Sequence, residues 1–318
     1  MKILVTGIAG FIGSHTADAL LKRGDEVVGI DNFNDYYDPK IKEDRVKRLK
    51  KSYKFSPYRE DISNYKAIDG IIKKERPDKI CHLAAQAGVR HSLENPFLYL
   101  KSNIDGTLVM LETARHNKIK DFIYASSSSV YGGNKKVPFS EEDRVDTPIS
   151  LYATTKKANE LMAHTYHKLF GLNTTGLRFF TVYGPYGRPD MALFIFTKNI
   201  LEGQPIEIFN HGKMKRDFTY VDDIVSGIVA SLDKSYPCEI FNLGNSNTVD
   251  LMYFIERIEK ELGKKAIKKM MPMQKGDVAE TFADISKAQK MLGFRPKTSV
   301  DKGIKKFIAW YKKYYNVK

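Results

Sequence analysis

Two cysteines, Cys81 and Cys238, are all the chain has, and they follow no metal-ligand spacing. That excludes a disulfide framework and fits a reducing, cytoplasmic setting. Cys81 sits in a buried-strand pattern and reads as a small hydrophobe. No apolar run approaches the ~18–20 residues that span a bilayer, so no membrane span is expected. The sequence opens on a strand-like run, Lys2 to Thr6, so no signal peptide is expected. No repeat and no flexible linker interrupts it. Acidic residues are outnumbered, 38 against 52 lysines and arginines, for a formal net charge of +14. The lysines, however, are spread over Lys40–Lys51, Lys260–Lys269 and Lys302–Lys313, without a recognition motif. A solvated surface, mildly helpful to an anionic substrate, is expected, with no nucleic-acid partner.

What is present is an alternation of strand and helix patterns. Lys2–Thr6 is a short buried strand, followed at once by Gly7-Ile8-Ala9-Gly10-Phe11-Ile12-Gly13 and a helix to about Lys22. A second strand, Glu26 to Ile30, stops at Asp31. The glycines permit a tight turn, close approach of a pyrophosphate and packing of helix on sheet, and the helix N-terminus offers N–H groups and partial positive charge. Gly7, Gly10, Phe11, Ile12 and Gly13 are therefore candidate cofactor contacts. Asp31 should accept hydrogen bonds from the adenosine ribose, with Asn32 beside it. Its carboxylate would repel a 2′-phosphate and no arginine adjoins it, which predicts NAD rather than NADP. Asn34 to Ser52 reads as a loop and an exposed helix.

A third strand ends at Asp61-Ile62, where an adenine ring could meet a carboxylate. A fourth, Lys79 to Leu83, leads to Ala84-Ala85-Gln86-Ala87-Gly88, whose small residues let backbone lie against a flat ligand. His82 reads as a core histidine. A helix over Asn95–His116 and a fifth strand lead to Ser126–Ser129. The pattern predicts a Rossmann-type doubly wound parallel sheet over residues 1–180, with returning segments near 217–245. Residues 181–318 form mainly a smaller, interleaved α/β substrate domain. Within it Pro205–Phe209 is read as a strand, 210–213 as a hairpin turn, Arg216–Asp223 as the start of a helix, and Glu239–Gly244 as a further sheet strand.

Tyr152 and Lys156 lie four apart on a helical run, Leu151 to Phe170, and so share one face. A free tyrosine, pKa ~10, is a poor base. An ammonium ~4 Å away at an effective dielectric of ~20 contributes about 4 kcal/mol, enough to draw the phenol toward neutral pH. One of the serines could then share the substrate proton with it.

With the glycine turn, Asp31, Ser127, Tyr152 and Lys156 in place, the whole chain resembles the extended short-chain dehydrogenases/reductases. Leu83-Ala84-Ala85-Gln86, Ser92–Pro96, Arg178-Phe179-Phe180, Arg216-Asp217-Phe218 and Gly276-Asp277-Val278 are similar to the nucleotide-sugar epimerase branch. Asp31–Pro39 and Tyr183–Ala192 resemble UDP-glucuronate 4-epimerases. The resemblance implies NAD-dependent epimerisation at C4 of a UDP-sugar, most closely UDP-glucuronate to UDP-galacturonate. The alternatives are a neutral UDP-hexose or UDP-N-acetylhexosamine 4-epimerase, or a nucleotide-sugar dehydratase or decarboxylase. It also implies Tyr152 as base, Lys156 on the nicotinamide ribose, Ser127 assisting, and Ser128 and Ser129 close by. Arg216 should meet the diphosphate, Asp277 the uridine ribose, and Phe209 and Ile208 the uracil. Asn103 and Arg90 should face the sugar, and Arg188 and Thr181 its carboxylate. Gln274 stands where many relatives have an arginine. Related decarboxylases carry glutamate where this chain has Ser129. A homodimer is implied, formed by helices Asn95–His116 and Leu151–Phe170 with Phe97, Tyr99, Leu161 and Tyr166 facing outward.

Overall fold

Seven parallel strands form the central sheet, in the order β10-β6-β5-β4-β1-β2-β3. In this computed structural model, which describes residues 1–317, they are β1 (Lys2–Thr6), β2 (Glu26–Asp31), β3 (Phe55–Arg59), β4 (Lys79–His82), β5 (Asp121–Ser127), β6 (Asn173–Phe179) and β10 (Cys238–Leu243). Both faces are covered, which is why Ile3, Leu4, Val5, Val27, Val28 and Ile80 run on as apolar residues without alternation. The order reverses between β1 and β4, and the carboxyl ends on either side of that switch point open a crevice.

The C-terminal half adds two small sheets. β7 (Thr181–Tyr183), β9 (Lys215–Tyr220) and β11 (Thr248–Asp250) make one, and β8 (Ile206–Ile208) pairs in parallel with β12 (Lys268–Met270) in the other. The chain then returns to the first sheet. Helix Val221–Leu232 buries Ile224, Ile228 and Leu232 in the same core as Ile3 and Val5, and β10 extends the sheet beyond β6.

Several expectations need correction. Residues 210–213 are not a hairpin turn: β8 and β9 do not pair, and Asn210 and His211 take left-handed backbone conformations that separate them. Residues 215–220 are strand, with the helix starting only at Val221, because Phe218 and Tyr220 are buried on pairing with β7 and β11. A helix over Ser286–Leu292 was not expected. The helix Pro39–Leu49 is not simply exposed: it buries Ile41, Lys42, Arg45, Val46 and Leu49. The 95–116 helix is broken into short turns and a π-helical stretch, Leu100–Asp105. Among the described residues no helix is long and apolar enough to cross a membrane.

Candidate active site

The glycine turn is built for a ligand's backbone approach. Gly7 holds φ +72°, and a Cβ there would lie 2.9 Å from Ala84 Cα. A Cβ on Gly13 would lie 2.0 Å from the Gly7 carbonyl oxygen, so helix Phe11–Arg23 could not close on the turn with any other residue. Asp31, ending β2, accepts the Ala9 N–H at 3.0 Å and the Phe33 N–H at 2.8 Å. Burial raises its pKa, against those two donors and the charge of Lys42. Burial works in the same sense on Asp61, but the Ser63 N–H and hydroxyl and the Asn32 amide prevail and hold it below the ordinary range.

The helix Leu151–Phe170 starts where Ser150 caps the Ala153 N–H. Its fixed point on the sheet is Glu160, paired with Arg178 of β6 through two bonds of 2.8 and 2.9 Å and accepting from Ser126 at 2.6 Å. Arg178 reaches on to Tyr131, which donates to Asn242. That buried network explains the Arg178 signature and takes Ser126 away from the cavity chemistry. Ser127 donates to Ser129 Oγ at 3.1 Å and lies close enough to Tyr152 to draw its phenol down.

Among the described residues Lys156 makes no hydrogen bond to Tyr152. Burial raises the Tyr152 phenol, opposed by the nearby Ser127 hydroxyl and the positive charge of Arg188. Lys156 is buried, its ammonium turned to the Ala125 carbonyl at 2.8 Å, and burial draws it down to about 8.

One cavity of about 820 Å³ joins these groups. It is lined by Gly7, Gly10, Phe11, Ile12, Gly13, Asp31, Asn32, Asp61, Ile62, Leu83, Ala84, Ala85, Ser127, Ser128, Ser129, Tyr152 and Lys156. At its far side lie Arg90, Thr181, Arg188, Phe209, Arg216 and Asp277. Arg216 and Asp277, assigned separate tasks from the sequence, form an ion pair at 2.7 Å. Burial pulls the Arg216 pKa down, against Asp277. Arg188 is held by Asp190 through two bonds, 3.0 and 2.5 Å, and Tyr36 donates to the same carboxylate at 3.0 Å.

Three expected contacts fall elsewhere. Asn103 does not face the cavity: the π-helical stretch turns it inward, where it accepts the Gln86 N–H at 2.8 Å and donates to the Gln86 carbonyl and Thr155. It holds the wall rather than forming its surface. Ile208 is wholly buried behind Phe209. Arg90 stands over the Phe209 ring at 4.7 Å and beside Arg216, so it belongs to that end of the cavity. Gln274 lines nothing, and Lys275 reaches the cavity in its place. Tyr36, Tyr37 and Lys42 also line it. They were missed because a charged, polar insertion carries no apolar period to signal burial.

His82 is the core histidine expected, bonded to Thr6 at 2.8 Å and Thr107 at 3.2 Å. Burial, with Lys156 adding to it, pushes its pKa down to about 3. Above the unfolded value of ~6.5 both states are neutral. As pH falls from there toward about 3 only the unfolded state gains the proton, so stability falls, by at most ~1.4 kcal/mol per pH unit from this group. The melting temperature should therefore drop between pH 7 and 5. It should drop less in His82→Gln, measured relative to its own pH 7 value; equal drops in the two proteins would contradict this.

The model of the GDP-mannose 4,6 dehydratase family matches residues 4–307. The protein CapI of Staphylococcus aureus is 51% identical over 99% of both chains. UDP-glucuronate 4-epimerase 4 of Arabidopsis thaliana is 49% identical over 99% of this chain and 76% of its own. The crystal structure of UDP-glucuronic acid 4-epimerase from Bacillus cereus, in complex with UDP-glucuronic acid and NAD, superposes with a TM-score of 0.93. It is 40% identical over 99% of this chain and 100% of its own. The family match spans nearly the whole chain, and the chain belongs to the GDP-mannose 4,6-dehydratase family of extended short-chain dehydrogenases/reductases.

Proposed function

We propose that the protein is an NAD-dependent 4-epimerase that interconverts UDP-glucuronate and UDP-galacturonate. The observation that carries this is that Tyr152 and Ser127 line one cavity with the glycine turn and with Arg188 and Thr181. The turn fits a dinucleotide: its Cβ-free floor lies against Ala84, and the N-terminus of helix Phe11–Arg23 receives the pyrophosphate. Asp31 takes the adenosine ribose, Asp61 the adenine and Lys156 the nicotinamide ribose. NAD, when bound, takes the hydrogen from C4 as hydride and gives it back, so none is consumed.

Tyr152 takes the proton of the sugar 4-hydroxyl, shared through Ser127, and returns it when the opposite face is reduced. Ser128 and Ser129 complete the polar wall. Arg216 meets the diphosphate, with Arg90 and Lys275 adding charge, while Asp277 and Phe209 hold the uridine. Arg188 and Thr181 receive the carboxylate.

A second reading has one observation in its favour. Arg188 is already paired with Asp190, as a pocket for a neutral UDP-hexose would have it. Comparing turnover of UDP-glucuronate with that of UDP-glucose separates the two, and a clear preference for UDP-glucuronate is expected.

Because the cofactor must survive each cycle, the purified protein should release NAD, and no NADP, on denaturation. It should also be active with none added. Absence of nucleotide together with inactivity would count against the mechanism.

The assembly expected is a cytoplasmic homodimer. Phe97 is 80% and Leu161 56% exposed on the two helices concerned, with Leu108 and Leu169 also exposed. Tyr99 and Tyr166 face inward instead, bonded to Gly88 and Glu112. Apolar side chains this open are suited to burial against a second copy. Sedimentation at micromolar concentration should give twice the chain mass, and a monomer would sink the dimer.

A further inference from the structure

Arg45 is fully buried, yet the ion pairs among the described residues include none that it makes. Its guanidinium is spent on main-chain oxygens from two distant segments. Nη1 donates to the Ala9 carbonyl at 2.9 Å and to the Tyr37 hydroxyl at 2.7 Å. Nη2 donates to the carbonyls of Tyr186 at 2.6 Å and Gly187 at 3.1 Å, and Nε to Tyr186 again at 3.1 Å. Ala9 lies inside the glycine turn, and its N–H is one of the two that Asp31 accepts. Gly187 directly precedes Arg188. One planar fork thus spans the floor of the dinucleotide site and the loop that faces the sugar. An unpaired buried cation is costly unless its donors are met. Here five bonds meet them, and they hold only if both segments keep their places.

The rest of the insertion fastens the same loop. Tyr36 donates to Asp190, Arg48 lies 4.2 Å over the Tyr186 ring, and Asp44 accepts from Tyr314, whose ring packs on Tyr186. We infer that Arg45 is a positioning residue for sugar specificity: it fixes the 186–190 loop, and with it Arg188, against the glycine turn, so that the carboxylate pocket is set by a contact outside the cavity. This rests on the reading that Arg188 faces the substrate carboxylate.

The test compares two ligands that share everything but the sugar. Binding of UDP and of UDP-glucuronate is measured by calorimetry in a Tyr152→Phe background, with and without Arg45→Lys or Arg45→Met. Arg45 variants should keep their UDP affinity and lose roughly 10-fold in UDP-glucuronate affinity, with lysine, which restores the charge but not the fork, between wild type and methionine. Taking the ratio of the two affinities within each protein cancels general damage. If Arg45→Met does not fold, Arg45→Lys decides. An unchanged ratio in Arg45→Lys, or an equal loss for both ligands, would overturn the inference. If UDP-glucuronate binds no better than UDP before Arg45 is changed, it is the carboxylate reading that fails instead.

Discussion

Tyr152→Phe should lower interconversion of UDP-glucuronate and UDP-galacturonate by at least ~10²-fold, while NAD stays bound. The substitution removes one oxygen and leaves the ring, which packs edge-on to Tyr99 with centroids 6.1 Å apart. The packing of helix and cavity wall is therefore kept. What is lost is the phenol hydroxyl beside Ser127 in the cavity. Lys156 cannot take over, since its ammonium is buried and bonded to the Ala125 carbonyl. Lys156→Ala, by contrast, should lower both turnover and NAD retention. Near-normal turnover in Tyr152→Phe would remove the tyrosine from the mechanism.

Ser129→Glu should change the product. Oxidation at C4 of a glucuronate gives a β-keto acid, which loses carbon dioxide readily. Epimerisation wins only if the carboxylate is held until C4 is reduced again. Ser129 lies against Ser127, with Oγ atoms 3.1 Å apart and its N–H 3.2 Å from Ser127 Oγ, and so beside the reacting end of the sugar. A serine there offers a hydrogen bond. A glutamate would place like charges near each other, at ~4 Å and an effective dielectric of ~20 a repulsion of about 4 kcal/mol. The bond from C5 to the carboxyl carbon breaks, its electrons pass into the C4 enolate, C5 then takes a proton to give the 4-keto-pentose, and the repulsion is relieved. Folded Ser129→Glu should release carbon dioxide together with either a UDP-linked 4-keto-pentose, leaving one NADH on the protein per molecule released, or the UDP-pentose formed when the hydride is returned, where the natural chain gives UDP-galacturonate with only a trace of these. Trapped carbon dioxide equal in the two proteins would show that Ser129 does not control the branch.

The parallel sheet was legible because strands buried on both faces read as unbroken apolar runs, and two of them end on residues with chemistry, β2 on Asp31 and β5 on Ser127. The dinucleotide half of the cavity followed, since glycines and small residues leave a local signature. The substrate half was harder. Phe218 and Tyr220 alternate with polar residues in a short strand, and three residues of pairing give too little period to separate strand from helix. Asn103 looked like a sugar ligand because nothing in sequence announces the π-helical stretch that turns it inward. Lys42 and Arg45 were read as solvated because a charged side chain on a helix usually is. Their burial depends on carbonyls from residues 9, 34, 186 and 187, which only the folded chain assembles. The same holds for Lys156, whose charge is directed by Ala125 rather than by its neighbour on the helix.

The central claim is oxidation and re-reduction at one carbon, and the fate of the hydrogen on C4 tests it most directly. The purified protein, with no cofactor added, is given UDP-glucuronate deuterated at C4, and the products are separated and read by proton NMR. UDP-galacturonate with deuterium retained at C4 is the expected product. UDP-galacturonate with solvent hydrogen at C4 would contradict the claim, as would no conversion by protein that holds NAD.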